Sequence, residues 1–259
     1  MGAFWDNAEV VRRSVAAKLR AGGEQKLAAR LEHCGEVVGY VRCGNCGASH
    51  PATKRCNLRW CPQCAWRITA ERCARVSAWA ATCTQPKHVV LTARNSDAPE
   101  PRKLGKAFAK LRRQKPFRWE RGCRTIETTN EGRGWHVHLH ALVDVRWIEP
   151  GELARRWGML VGQEFAIVKV KDARLTDYLA ELVKYACKPA QLASWSPEEA
   201  VTFIRACEGV RLFSTWGDLR GYQPPPKAQA ICECGASVWE FEPLGLSEAI
   251  DRALSQAWR

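Results

Sequence analysis

Three histidines stand at alternate positions, His136, His138 and His140, in the stretch GWHVHLHALV. In an extended strand, residues two apart point to the same side. The three imidazoles therefore share one face, and Val137, Leu139 and Ala141 take the other. The turn EGRG, residues 131–134, folds this strand back on RTIETTN, residues 124–130. If its four residues form the loop, Asn130 pairs with Trp135, Thr128 with Val137 and Glu127 with His138. Directly opposed residues share a face, so Glu127 falls among the histidines and Ile126 opposite Leu139. Two or three imidazoles and a carboxylate then converge, which is the donor set of a divalent-metal site with coordination positions left open. His138 and His140 form its base, and Glu127 or His136 completes it.

A second chemical pattern lies in ELVKYACK, residues 181–188. Helical residues three or four apart share a face, so Glu181, Tyr185 and Lys188 make one stripe, which Tyr178 joins. A phenol has a pKa of about 10 and attacks poorly at neutral pH. A cation such as Lys188 favours phenolate and also holds phosphate. Tyr178 is either a second nucleophile or packing against Leu179 and Leu182.

The third pattern is cysteine. There are 13, and in a reducing compartment clustered cysteines point to metal rather than disulfides. Cys43-x-x-Cys46 and Cys61-x-x-Cys64 are separated by the fourteen residues GASHPATKRCNLRW. That spacing predicts one structural zinc held tetrahedrally by Cys43, Cys46, Cys61 and Cys64. Cys56 and His50 are alternative ligands. Cys34, Cys232 and Cys234 are candidates for a second zinc. Cys73, Cys83, Cys123, Cys187 and Cys207 fall within predicted elements and read as small core residues.

The chain has 259 residues and a formal net charge of +13. Basic chains displace counterions from nucleic acid, so the charge points to a polyanionic partner. Much of it sits in PRKLGKAFAKLRRQKPFRWERGCR, residues 101–124, where Glu120 is the only acid. Lys110, Arg112, Arg113, Lys115 and Arg118 are the expected DNA contacts. Phe117 and Trp119, interleaved among them, either stack on unpaired bases or pack in the core. No apolar run approaches the roughly 18 residues of a spanning helix, and the N-terminus has no signal-like apolar stretch. The expected location is the cytoplasm, away from membranes.

These groups need a scaffold. Apolar spacing predicts helices over 7–32 (broken at Gly22-Gly23), 65–82, 104–113, 150–161, 176–186 and 197–207, with a last short helix in the tail. Strands are expected over 87–94, 124–130, 135–145 and 166–170. The order strand, helix, strand, strand, helix, strand, helix predicts an α+β fold of ferredoxin-like type, an antiparallel sheet with helices on one face, plus an N-terminal zinc-binding segment. Residues 1–84 would carry that segment, 85–190 the metal-binding sheet, and 191–259 a helical region with the Cys-x-Cys tail.

Several motifs resemble one known family. HLHALV, residues 138–143, is similar to the HUH motif of rolling-circle replication initiators and related transposases. NLRWCPQCAWR (57–67) resembles the cysteine motif upstream in small plasmid replication proteins, VVLTARN (89–95) the first strand, and ELVKYACK the nucleophile motif. They span roughly residues 43–189 in the family's order. The resemblance implies a metal-dependent endonuclease and strand transferase using Mn²⁺ or Mg²⁺. Its substrate would be single-stranded or hairpin origin DNA, with Tyr185 the nucleophile and Glu181 activating water for release. The alternatives are an HUH transposase with the same chemistry, a non-catalytic zinc-finger DNA-binding regulator, and a hydrolase whose three histidines hold catalytic zinc. The segment beyond Pro189 matches no part of the family; a role in binding duplex DNA or a host helicase is open for it.

Overall fold

The computed structural model describes residues 2–164, 166–175, 189–224 and 229–245. Its N-terminus is a helical hairpin, α1 (Gly2–Ala21) and α2 (Gln25–Glu32), turning at Gly23, whose φ of +87° suits a residue without a Cβ. Arg12 locks the hairpin by donating to the carbonyls of Leu31 and Glu32, each at 2.7 Å. These are end carbonyls of α2 that no helical N–H reaches.

The cysteine-rich stretch, where no element is expected from sequence, contains two strands. β1 (Val37–Cys43) and β2 (Ser49–Thr53) form a hairpin. Helix α3 (Pro62–Ala80) follows, then β3 (Pro86–Thr92), α4 (Pro101–Leu111), β4 (Gly122–Asn130), β5 (Trp135–Asp144), α5 (Pro150–Val161) and β6 (Val168–Asp172). After a single 3-10 turn at Ala173–Leu175, the described chain resumes in α6 (Pro189–Ser194), α7 (Pro197–Ala206), β7 (Phe213–Trp216), a further 3-10 turn and β8 (Trp239–Pro243). Ser196 and Glu199 form a reciprocal capping box at the start of α7. The helices expected over 176–186 and in the tail lie outside the described residues.

The fold is α+β with two antiparallel sheets. The larger has the order β6-β3-β5-β4-β7 and the smaller β2-β1-β8. The β4–β5 hairpin has the register inferred from the EGRG turn, with Asn130 opposite Trp135, Glu127 opposite His138 and Ile126 opposite Leu139. Residues on one side of this sheet, including Val89, Leu91, Ile126, Leu139 and Ala141, pack under Leu104, Phe108 and Leu111 of α4 and Leu153 and Trp157 of α5. The other side carries the histidines. Its lower end is covered by Val76 and Trp79 of α3, which pack on Cys123 and Leu142, and no described element covers its upper end.

The segment from residue 191 does not form a separate region. β7 pairs with β4 in the large sheet, and β8 pairs with β1 in the small one. Both were missed from sequence. Each is short (four and five residues), and its place is set by a distant strand rather than by local pattern. Buried tryptophans hold the layers together while keeping their N–H groups bonded. The indoles of Trp157, Trp195 and Trp216 donate to the carbonyls of Thr92, Asn130 and Trp119 at 2.7, 3.1 and 2.9 Å. Among the described residues no helix is long and apolar enough to cross a membrane.

Candidate metal centres

Glu127, His138 and His140 converge on the open face, their ligand atoms within 4.8 Å of one another. β4 and β5 set this up: Glu127 lies directly opposite His138, and Thr125 opposite His140. The Glu127 carboxylate bonds the Nε2 of His138 and sits 3.6 Å from the Nε2 of His140. Glu127 is 4% exposed, and a buried carboxylate requires cationic or hydrogen-bonding partners. The Nδ1 of His138 is buried and has no hydrogen-bond partner among the described residues. Of the two candidates for completing the set, Glu127 joins it and His136 stands beside it. The ring of His136 lies 5.1 Å from that of His138. Burial, and then the neighbouring His138, lowers its pKa and favours the neutral imidazole.

A residue absent from the sequence reading also belongs here. His88 of β3 is 3% exposed, and its Nε2 lies 3.2 Å from the Nδ1 of His140. The rings are nearly parallel, with centroids 5.4 Å apart. An imidazole that binds metal through Nε2 carries its proton on Nδ1 and must donate it to something. His88 offers that acceptor and so orients His140. Replacing His88 with Phe is expected to weaken Mn²⁺ binding about 10- to 100-fold. Titration of free Mn²⁺ by electron paramagnetic resonance reads this, and His88→Gln, which keeps an acceptor, should recover part of the affinity.

Above the cluster is a cleft of about 800 Å³, walled by His88, Val90, Thr92, His136, His138 and His140 on one side and by Gln163, Ile167, Lys169 and Lys171 on the other. Arg94 and Asn95 close its end.

The cysteines form two clusters of four, not the single one expected from spacing. Cys34, Cys56, Cys61 and Cys64 make one, and Cys43, Cys46, Cys232 and Cys234 the other. The strands decide the division. Cys43 ends β1 and Cys46 lies in the β1–β2 turn, and β2 then carries the chain away before Cys61 and Cys64 start α3. Cys232 and Cys234 are brought to the turn because β8 pairs with β1, Trp239 opposite Cys43. Each CxxC pair thus finds its partners elsewhere: Cys34 and Cys56, or the tail.

The sulfur separations fit metal rather than disulfide. Cys34 lies 3.6 Å from both Cys61 and Cys64, and Cys56 lies 3.7 Å from Cys64. In the second cluster Cys43–Cys234 is 3.6 Å and Cys46–Cys232 3.5 Å. A tetrahedron with zinc–sulfur bonds of about 2.3 Å has edges of about 3.8 Å. Hydrogen bonds from Cys56 and Cys61 hold Cys34 far below the ordinary thiol range, and the contact with Cys34 pushes Cys56 up. Four thiolates side by side require a divalent cation. His50 is not in either set; its ring lies tilted against that of Trp239, with centroids 5.7 Å apart. Cys123 and Cys207 are buried core residues whose thiols burial pushes up to about 12. Cys73 and Cys83 are part-buried.

The chain matches no protein-family model, no curated protein and no solved structure.

The basic run behaves differently from its composition. Lys110, Arg113, Lys115 and Arg118 are exposed, whereas Arg112 is half-buried over the Trp216 ring at 5.0 Å. Phe117 and Trp119 are buried and pack with Phe108, so they are core rather than a base-stacking platform. Helix α4 covers the sheet face opposite the histidines, so Lys110 lies on the far side from the cleft. Tyr178, Glu181, Tyr185, Cys187 and Lys188 lie outside the described residues.

Proposed function

We propose that the protein is an HUH-type endonuclease that starts rolling-circle replication by nicking and rejoining single-stranded origin DNA. The observation that carries this reading is the Glu127–His138–His140 set at an open cleft. It lies on central strands of a sheet with ferredoxin-like β-α-β-β-α-β connections and order, β6-β3-β5-β4. The motif resemblance extends it to the helix stripe. Two imidazoles and a carboxylate with open positions suit Mn²⁺ or Mg²⁺, and a bound divalent ion neutralises and orients a phosphodiester. The chain's own groups do the rest. Tyr185, its phenolate favoured by Lys188, attacks phosphorus in line. The Tyr185 Oη–P bond forms, the P–O3′ bond breaks, and the proton of the phenol ends on the 3′-hydroxyl. Glu181 later activates water to hydrolyse the phosphotyrosine. We assign zinc to both four-cysteine clusters on the tetrahedral edge lengths.

Incubation with labelled single-stranded DNA and Mn²⁺ should give a protein-linked band on a denaturing gel. Tyr185→Phe should give none. A band that persists in Tyr185→Phe overturns the assignment of the nucleophile and transfers the test to Tyr178→Phe.

A further inference from the structure

We propose that Lys169 and Lys171 of β6, with Arg94 at the end of β3, form the track that holds the single strand beside the reacting phosphate. This deepens the endonuclease reading and rests on it. The register places these side chains. Lys169 lies opposite Val90 and Lys171 opposite His88, while Val90 lies opposite His140. Directly opposed residues share a face, so both lysines project on the histidine side of the sheet. Two strand spacings, about 10 Å, separate Lys169 from His140. That spacing suits a neighbouring phosphate along the strand.

All three cations are exposed, and none forms an ion pair with a described residue. They contrast with Lys87 on the same sheet, which is bonded to Asp172 at 3.1 Å. No carboxylate is among the described residues lining the cleft; Glu127 lies beneath it, bonded to His138. Ile167, 67% exposed on the rim, and Val90 on the floor give apolar surface for a base or sugar between the phosphates. Cations along one wall beside apolar surface for an exposed base fit an unpaired strand better than a duplex, whose bases are stacked inside. The basic run on and after α4 does not compete for this role, because α4 lies across the sheet from the metal ligands. The strand then crosses the sheet at right angles to its strands, from the His138–His140 pair over Val90 to β6.

The test is fluorescence anisotropy with a labelled oligo-dT strand and its duplex counterpart, without added Mn²⁺ or Mg²⁺, over a range of salt. Lys169→Ala with Lys171→Ala should bind the single strand about tenfold more weakly near physiological salt, with a log–log salt slope shallower by about 1.4, the loss of two phosphate contacts. Lys106→Ala, on the exposed side of α4, should leave the cleft intact, so that adduct formation at saturating single strand matches wild type. An unchanged single-strand slope in the β6 variant, or an equal loss on duplex, overturns the track. If wild type gives no covalent adduct but the β6 variant still loses single-strand binding selectively, the track stands and the endonuclease reading fails.

Discussion

Cys61→Ser should release one of two zinc ions per chain and unfold the N-terminal half of the molecule. Cys61 and Cys64 are fully buried, and the four-cysteine cluster they share with Cys34 and Cys56 sits in the main core beside Val15, Leu31 and Trp60. Structural zinc contributes on the order of 10 kcal/mol or more to folding in small metal-bound units. Losing one thiolate also strands the other three in apolar surroundings. The expected loss is more than about 5 kcal/mol, beyond the usual range of point substitutions. Metal analysis and thermal unfolding followed by circular dichroism would measure it. Cys234→Ser is the informative contrast. Cys234 and Cys46 are exposed, and the sheet they anchor packs little against the rest. This variant should also lose one zinc, while the main transition stays within about 1 kcal/mol of wild type. Two variants with equal melting losses, or a wild-type chain with fewer than two zinc ions, would contradict the division of the cysteines.

His138→Ala should abolish Mn²⁺ binding and reduce adduct formation at least about a thousandfold, since a metal that neutralises a phosphoryl transition state supplies several kcal/mol. The substitution sits on the histidine face of the sheet, outside the apolar clusters of the core, so the core does not depend on it. Zinc content should remain two per chain. Normal adduct formation by a His138→Ala protein that no longer binds Mn²⁺ would remove the metal from the chemistry altogether.

Local pattern was enough for the histidine site. Alternation fixed which residues share a face, and a four-residue turn between Asn130 and Trp135 fixed the register that brings Glu127 to His138. What was hidden depended on pairing across long separations. His88 stands 52 positions from His140, and only the β3–β5 ladder joins them. The cysteine spacing suggested one ion because both CxxC motifs look self-sufficient. The intervening β1–β2 hairpin separates them, and that hairpin gave little signal in a stretch of Gly, Pro and Cys. The basic run showed its charge plainly, but a count of charges carries no information on which side of a sheet a helix will lie. The same holds for Lys169 and Lys171, two lysines among many until β6 is placed at the edge beside β3.

The small sheet joins the two ends of the described chain. Cys43 and Cys234 are 191 positions apart, and β8 leaves the ribosome after every other described strand. Chains fold from the N-terminus as they are made, so the buried cluster of Cys34, Cys56, Cys61 and Cys64 has all its ligands early, while the other gains its last two sulfurs only after every strand of the large sheet has been made. A polypeptide cut short anywhere before Cys232 would carry one ion, leave β1 with a bare edge, and be marked as incomplete by its own metal content.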